Sequence, residues 1–326
     1  MKRREFITLL SGMAAARPLA ARAQQLVTPV VGFLHSGSKL RSPHVIGFRQ
    51  GLKEAGFVEG GNVAVQYRFA EGQYDQLPAM VAEFVSKNVA VLAATGGVQT
   101  ALAVKAANTS IPAVFANGSD PVQFGLVESL NRPGGNMTGV SFFTATLEAK
   151  RLGLLSELVP DARTFGILIN PKNDNAENQM KDIAQGALTL SRPIIILTAS
   201  NEQEIETTFE RFAQQGVNAL LVAADPYFNG QRGQIAALAA RHHLPGIFEW
   251  REFAEAGGLA SYGTNLLDNY RLAGISVGRI LKGEKPAELP VVQATKFEFV
   301  INLKTAKSLG LKLPSGPLST ADEVIE

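Results

Sequence analysis

Polar side chains gather at six places where a β-rich run gives way to a loop. They are His35-Ser36-Gly37-Ser38, Thr95-Gly96-Gly97, Asn117-Gly118-Ser119-Asp120, Asn170-Pro171-Lys172-Asn173, Asp225-Pro226-Tyr227 and Glu249-Trp250-Arg251. The first three are rich in hydroxyls and glycine and stand ahead of predicted helix starts, where free backbone N–H groups suit a carboxylate or another small anion. The later ones add Asp225 and Glu249, acceptors for an ammonium or hydroxyl, with Tyr227, Phe228 and Trp250 as an apolar wall. Opposite polarity on the two sides fits an amino-acid-like or organic-acid ligand held by both ends. Strand exits are polar in any α/β protein, so one such loop alone reads equally well as a helix cap. Only their convergence would make a site.

Catalytic constellations are missing. There is no Gly-x-x-x-x-Gly-Lys-Ser/Thr phosphate loop, no Gly-x-Gly-x-x-Gly after the first strand and no Gly-x-Ser-x-Gly elbow. The chain has four histidines and no cysteine, which removes thiol nucleophiles, disulfides and Cys-ligated metals. His242 and His243 are neighbours at a predicted helix end and cannot both face one metal from the same face. His35 beside Ser36 imitates a base and nucleophile, but adjacent residues of a strand point apart. No catalytic residue, metal or cofactor is expected.

The elements that must carry these loops alternate. Strands are predicted at Val30–Leu34, Asn62–Phe69, Val89–Ala94 and Ile111–Ala116, with helices over Pro43–Ala55, Leu77–Lys87 and Val98–Ala107 between them. Asp120 and Pro121 read as the cap and first residue of a further short helix, which Pro133-Gly134-Gly135-Asn136 would stop. An extended run at Met137–Phe143 follows, and the rhythm restarts. Helices are expected over Leu147–Leu158, Asn175–Leu190, Glu202–Gln215, Arg232–His242 and Leu266–Leu281, between strands at Thr164–Ile169, Pro193–Leu197, Val217–Ala223, Pro245–Phe248 and Gly257–Tyr262. Val291–Leu303 holds strands, Lys304–Leu309 a last helix, and the tail Pro314–Glu326 is expected to lack regular structure apart from a short contact. Strand-helix alternation at this spacing means parallel sheets with helices on both faces, and all strand C-terminal ends on one edge. The fold class is therefore α/β, with two doubly wound parallel-sheet lobes.

The 326 residues exceed a usual single domain, as two lobes require. Hydrophobic residues make up 46% and charged ones 18%, and formal net charge is only +2, with no basic run beyond the N-terminus, so nothing favours nucleic acid or a membrane surface. Lys2-Arg3-Arg4, the apolar run Phe6–Ala16 and the small-x-small site Ala21-Arg22-Ala23 read as an export signal over residues 1–25. Arg3-Arg4-Glu5-Phe6-Ile7 is twin-arginine-like, with Lys2 in place of the usual Ser or Thr, so either export route fits. Without a cysteine after the cleavage site no lipid anchor is expected. The expectation is a soluble periplasmic protein.

Asp120-Pro121-Val122, Gly125-Leu126-Val127 and Pro133-Gly134-Gly135-Asn136-Met137-Thr138-Gly139 resemble a known family. The resemblance continues at Gly47-Phe48-Arg49-Gln50-Gly51-Leu52, at Glu249 with Gly257–Gly263, and at Phe297–Lys307. It covers essentially the whole mature chain and is to the periplasmic substrate-binding proteins of ABC importers related to the tryptophan/tyrosine-type binding proteins. Pro226-Tyr227-Phe228 and Trp250-Arg251 depart from its usual pattern and bear on the ligand rather than the fold. The resemblance implies a type I periplasmic-binding-protein fold with a three-segment hinge near Gly139, Thr264 and the stretch before Phe297. Residues 26–139 with 265–290 would form the N-terminal lobe, and 140–264 with 291–326 the C-terminal lobe. Ser36, Gly37, Thr95, Gly96, Asn117 and Ser119 from one lobe, with Asn170, Asp225, Tyr227, Glu249 and Trp250 from the other, would hold the ligand, Asp120 serving as a cap. The expected partners are a small molecule and an inner-membrane ABC permease, with the protein a monomer. A ligand-sensing module for a membrane receptor is the alternative, and an exported enzyme a third reading.

Overall fold

The computed structural model describes residues 28–38 and 43–326. The export signal expected over 1–25 lies outside them. In the first half, β1 (Val30–His35), α1 (Pro43–Glu54), β2 (Ala64–Phe69), α2 (Leu77–Ser86), β3 (Val91–Thr95), α3 (Val98–Ala106), β4 (Ala113–Asn117) and β5 (Met137–Ser141) follow the expected alternation. The second half runs α4 (Glu148–Leu158), β6 (Phe165–Ile169), α5 (Ala176–Leu190), β7 (Ile194–Thr198), α6 (Glu202–Gln214) and β8 (Ala219–Val222). Then come α7 (Pro226–Gly230), α8 (Arg232–Arg241), β9 (Gly246–Phe248), α9 (Arg251–Glu255) and β10 (Ala260–Thr264). The chain ends with α10 (Leu266–Leu281), β11 (Val292–Gln293), β12 (Phe297–Asn302), α11 (Leu303–Ser308), α12 (Ser315–Thr320) and β13 (Glu323–Ile325).

These strands form two sheets, ordered β2-β1-β3-β4-β5-β11 and β7-β6-β8-β9-β10-β12-β13. Both are parallel except where β12 runs antiparallel to β10. Each reverses its winding once, between β1 and β3 in the first sheet and between β6 and β8 in the second. The strand ends at such a reversal leave a crevice, which is where open α/β sheets bind ligands. In the first sheet the register aligns His35 with Thr95, so Ser36 and Gly96 leave their strands side by side. In the second, Leu168 pairs with Val222, and Asn170 and Asp225 emerge together.

The chain crosses between sheets three times: after Ser141, at Asn265 between β10 and α10, and between Gln293 and Phe297. Residues 140–141 and 291–293 therefore sit with the first sheet, a few residues beyond the boundaries expected from the sequence, because β5 and β11 complete that sheet before the chain leaves it. The helix α10 returns to pack on α1 through glycines. A Cβ built on Gly51 would stand 1.8 Å from the Arg271 carbonyl oxygen, and one on Gly274 would stand 2.2 Å from that of Phe48. Only bare backbone allows helices so close.

Three local expectations change. No helix follows Asp120: its Oδ1 accepts from the N–H groups of Val122 and Gln123, but the turn ends at Gly125, whose φ of +63° lies in the left-handed region. The tail is not irregular, since α12 packs near α4 and β13 pairs with β12 at Val300, Ile301 and Asn302. The loops after Asp225 and Trp250 close into α7 and α9, five residues each, too short for a periodic pattern to show. Among the described residues, no helix is long and apolar enough to cross a membrane.

Candidate functional site

The two crevices face each other across one cavity of about 50 Å³. Its first-sheet side begins with Gly96 and Gly97, both at positive φ, which turn the chain from β3 into α3. A Cβ on Gly96 would meet the His35 ring at 2.4 Å and the Ser36 backbone nitrogen at 2.9 Å, so the close approach requires glycine. Gly97 gives α3 no side-chain cap, which leaves the first amides of a nine-residue helix open at the cavity edge. Beside them Asn117 ends β4. Its Oδ1 accepts from the Ser119 N–H at 3.0 Å, which fixes the amide so that its Nδ2 is left for the cavity. Gly118 lies against Thr144, whose hydroxyl donates to Glu249 Oε1 at 2.5 Å.

On the second-sheet side, Asp225 ends its strand region and caps α7. It is 3% exposed and surrounded by donors. Its Oδ1 accepts from Asn170 Nδ2 and from the N–H groups of Tyr227 and Phe228, and its Oδ2 from Tyr74 and Asn173. Burial pushes this carboxyl above its ordinary value while Asn170 and the other donors pull it back. The carboxylate is a structural hub rather than a bare ligand acceptor. Glu249 differs. Burial pushes its carboxyl up to about 7, with the Arg151 guanidinium and the Thr144 hydroxyl opposing. Beneath it the fully buried Glu148–Arg151 ion pair, 2.9 Å apart, ties the elements together. Arg151 donates to the Thr144 and Tyr262 carbonyls, and Glu148 accepts from the Ala224 N–H and from Gln179.

An aromatic run lines one wall. The His35 and His44 rings lie 4.4 Å apart and tilted by 43°, His44 meets Tyr270 edge-on at 4.6 Å, and Tyr270, Phe142 and Trp250 continue at 6.2 and 6.0 Å. Burial pushes His35 down to about 3 and His44 well below its usual value, the latter helped by His35 and Arg232, so both rings are neutral. Three buried polar atoms of cavity-lining residues have no hydrogen-bond partner among the described residues: His44 Nδ1, Asn117 Nδ2 and Asn229 Oδ1. Buried polar atoms are rarely left so, and three around one space mark where an outside molecule would complete them.

Of the residues singled out in the sequence, Gly96, Asn117, Ser119, Asp225, Glu249 and Trp250 line the cavity. The other five stand outside its lining. Ser36 donates to the Gly96 carbonyl, Gly37 approaches the Pro226 carbonyl, and Thr95 donates to Leu34 and meets His35 Nδ1 at 3.1 Å. Asn170 is held by Asp225, and Tyr227 packs over Gly72 at the seam between the sheets. His44, Phe142, Asn229 and Tyr270 also line the cavity and carry no sequence signal for it. They sit in a helix's first turn, a crossing and two helices, not at strand exits. Among the hydrogen bonds that span the seam are Tyr74 to Asp225 at 3.0 Å and Gln123 to Asn178 at 3.1 Å, and the Ala145 N–H donates to the Gly118 carbonyl at 3.1 Å beside the first crossing.

The chain is similar to a tyrosine-binding protein of Clostridioides difficile, 24% identical over 266 residues that make up 82% of this chain and 76% of that one. Among solved structures it is similar to a conserved domain protein of Vibrio cholerae, at 26% identity and TM-score 0.82, covering 91% of this chain and 99% of the other. A domain from Streptococcus pneumoniae in complex with L-Trp matches at 25% identity and TM-score 0.81, over 91% and 100% of the two chains. The model of the ABC transporter substrate binding protein family matches residues 31–325, and the chain belongs to that family.

Proposed function

We propose that this protein is an extracytoplasmic solute-binding protein that captures an amino-acid-like ligand between its lobes and delivers it to an ABC permease. The observation that carries this reading is the set of unpartnered buried atoms, Asn117 Nδ2 and His44 Nδ1 from one lobe and Asn229 Oδ1 from the other, around a single cavity. The open amides of α3 and the Asn117 side chain suit a carboxylate, and Glu249 suits an ammonium. Relatives that bind tyrosine or hold L-Trp carry both groups on their ligands, which supports the same main-chain recognition here. The family is one of binding proteins, and so is the tyrosine-binding relative named above, which favours binding over turnover. Each lobe supplies part of the contacts, so ligand stabilises the closed arrangement, and the three crossings are the hinge. Closure then presents a surface built from both lobes to the permease.

Thermal-shift and calorimetric screening of amino acids, aromatic acids and other small carboxylates tests the reading. A true ligand at about 100 times its Kd stabilises the fold by roughly 2.7 kcal/mol. Absence of saturable binding across the amino acids would sink it.

A further inference from the structure

The cavity is small for the ligands of the relatives. An apolar cavity of ~150 Å³ takes up benzene, whereas the space between these lobes is about 50 Å³. The rings of Phe142, Trp250 and Tyr270 fill the wall beside it, each no more than 5% exposed. Trp250 is the chain's only tryptophan and lines the same cavity as Glu249, the carboxyl that would meet an ammonium. Among the described residues, no lysine or arginine lines the cavity. Two carboxyls do, Asp225 and Glu249, and Asp225 is occupied by its own donors. That leaves Glu249 as the carboxyl for a cationic group of the ligand.

Resting on the reading that the cleft holds an amino-acid-like molecule, we propose that its ligand is a zwitterion with a short aliphatic side chain, and that Trp250 excludes aromatic amino acids by occupying the space their rings would need. Wider spacing of the lobes is not a ready escape. Further opening would break the Tyr74–Asp225 and Gln123–Asn178 bonds across the seam.

The test compares glycine, L-alanine, L-serine and L-threonine with L-phenylalanine, L-tyrosine and L-tryptophan. Binding is read by calorimetry on the wild type and on Trp250→Ala and Trp250→Leu, with circular dichroism as the folding check. The short set should bind the wild type at least 100-fold tighter than any aromatic amino acid and change Trp250 fluorescence on titration. Trp250→Ala or, if that variant does not fold, Trp250→Leu should gain at least tenfold in aromatic affinity. Wild-type protein that binds an aromatic amino acid as tightly as the short set overturns this inference and leaves the amino-acid reading standing. Failure of both sets on the wild type overturns both. Unchanged aromatic affinity in a folded Trp250 variant overturns the exclusion role.

Discussion

Glu249 offers the sharpest quantitative test. Its carboxyl is pushed from 4.5 to about 7 by burial, against the pull of Arg151 and Thr144. Across pH 4.5 to 7 the ligand-free folded chain keeps a proton that the unfolded chain has lost, so this group's contribution to stability falls as pH rises through that window and is flat above it. At about 1.4 kcal/mol per pH unit the loss is roughly 3 kcal/mol. The neutral histidines act in the opposite sense. His35 is pushed from 6.5 to about 3, so the unfolded chain binds the proton first and stability rises with pH over that span. A raw stability profile therefore mixes opposing slopes, and the difference between wild type and Glu249→Gln isolates one of them. Glutamine keeps an oxygen for the Thr144 hydroxyl and cannot ionise. Urea unfolding of ligand-stripped protein should show the two equally stable near about pH 4, and the variant ahead by roughly 3 kcal/mol near about pH 8. A gap that stays constant within about 0.5 kcal/mol across the range would refute the assignment of a protonated, buried Glu249.

Further outcomes follow from neighbouring contacts. If a bound ammonium meets Glu249, ligand binding below pH 7 releases a proton, visible as a buffer-dependent heat in calorimetry; equal heats in all buffers would count against that contact. Tyr74→Phe removes one buried bond across the seam, worth about 1 kcal/mol, and should weaken ligand affinity about fivefold through faster dissociation. Gly51→Ala drives a methyl into the Arg271 carbonyl and should cost about 1–3 kcal/mol by forcing α1 from α10, so an unchanged melting temperature would contradict the close backbone contact. Arg251→Ala frees Glu255, Glu298 and Glu323, but the arginine's side chain is 28% exposed and the carboxylates more so. Its cost should stay below about 1 kcal/mol and shrink further in salt.

Periodicity carried most of the fold, since each βα unit writes its own burial pattern along the chain. The helix α10 matches its expected limits, and most strands shift by one or two residues. What failed was short. Five-residue α7 and α9 have no room for a repeat, and the turn after Asp120 resembles a helix start in sequence because its cap chemistry is genuine while Gly125 breaks it one turn later. The tail's strand depends on a partner, β12, that lies some twenty residues away along the chain. Local propensity does not carry such pairings.

The site was legible as a place more than as a set of contacts. Strand exits converge because parallel winding forces them to, and six of the eleven residues named from sequence line the cavity. Sequence cannot say which polar groups are already satisfied there. Asp225 and Glu249 look equivalent as letters, yet Asp225 receives five hydrogen bonds, four of them from its own lobe and one across the seam from Tyr74, while Glu249 receives one from Thr144. His44 shows the converse: a histidine in the first turn of an amphipathic helix reads as surface or core, and only the folded chain reveals a buried ring nitrogen without a partner beside Asn117 and Asn229. Unmet hydrogen-bonding capacity is what residue type alone does not report, and a buried group without a partner costs about 1–3 kcal/mol until a partner meets it.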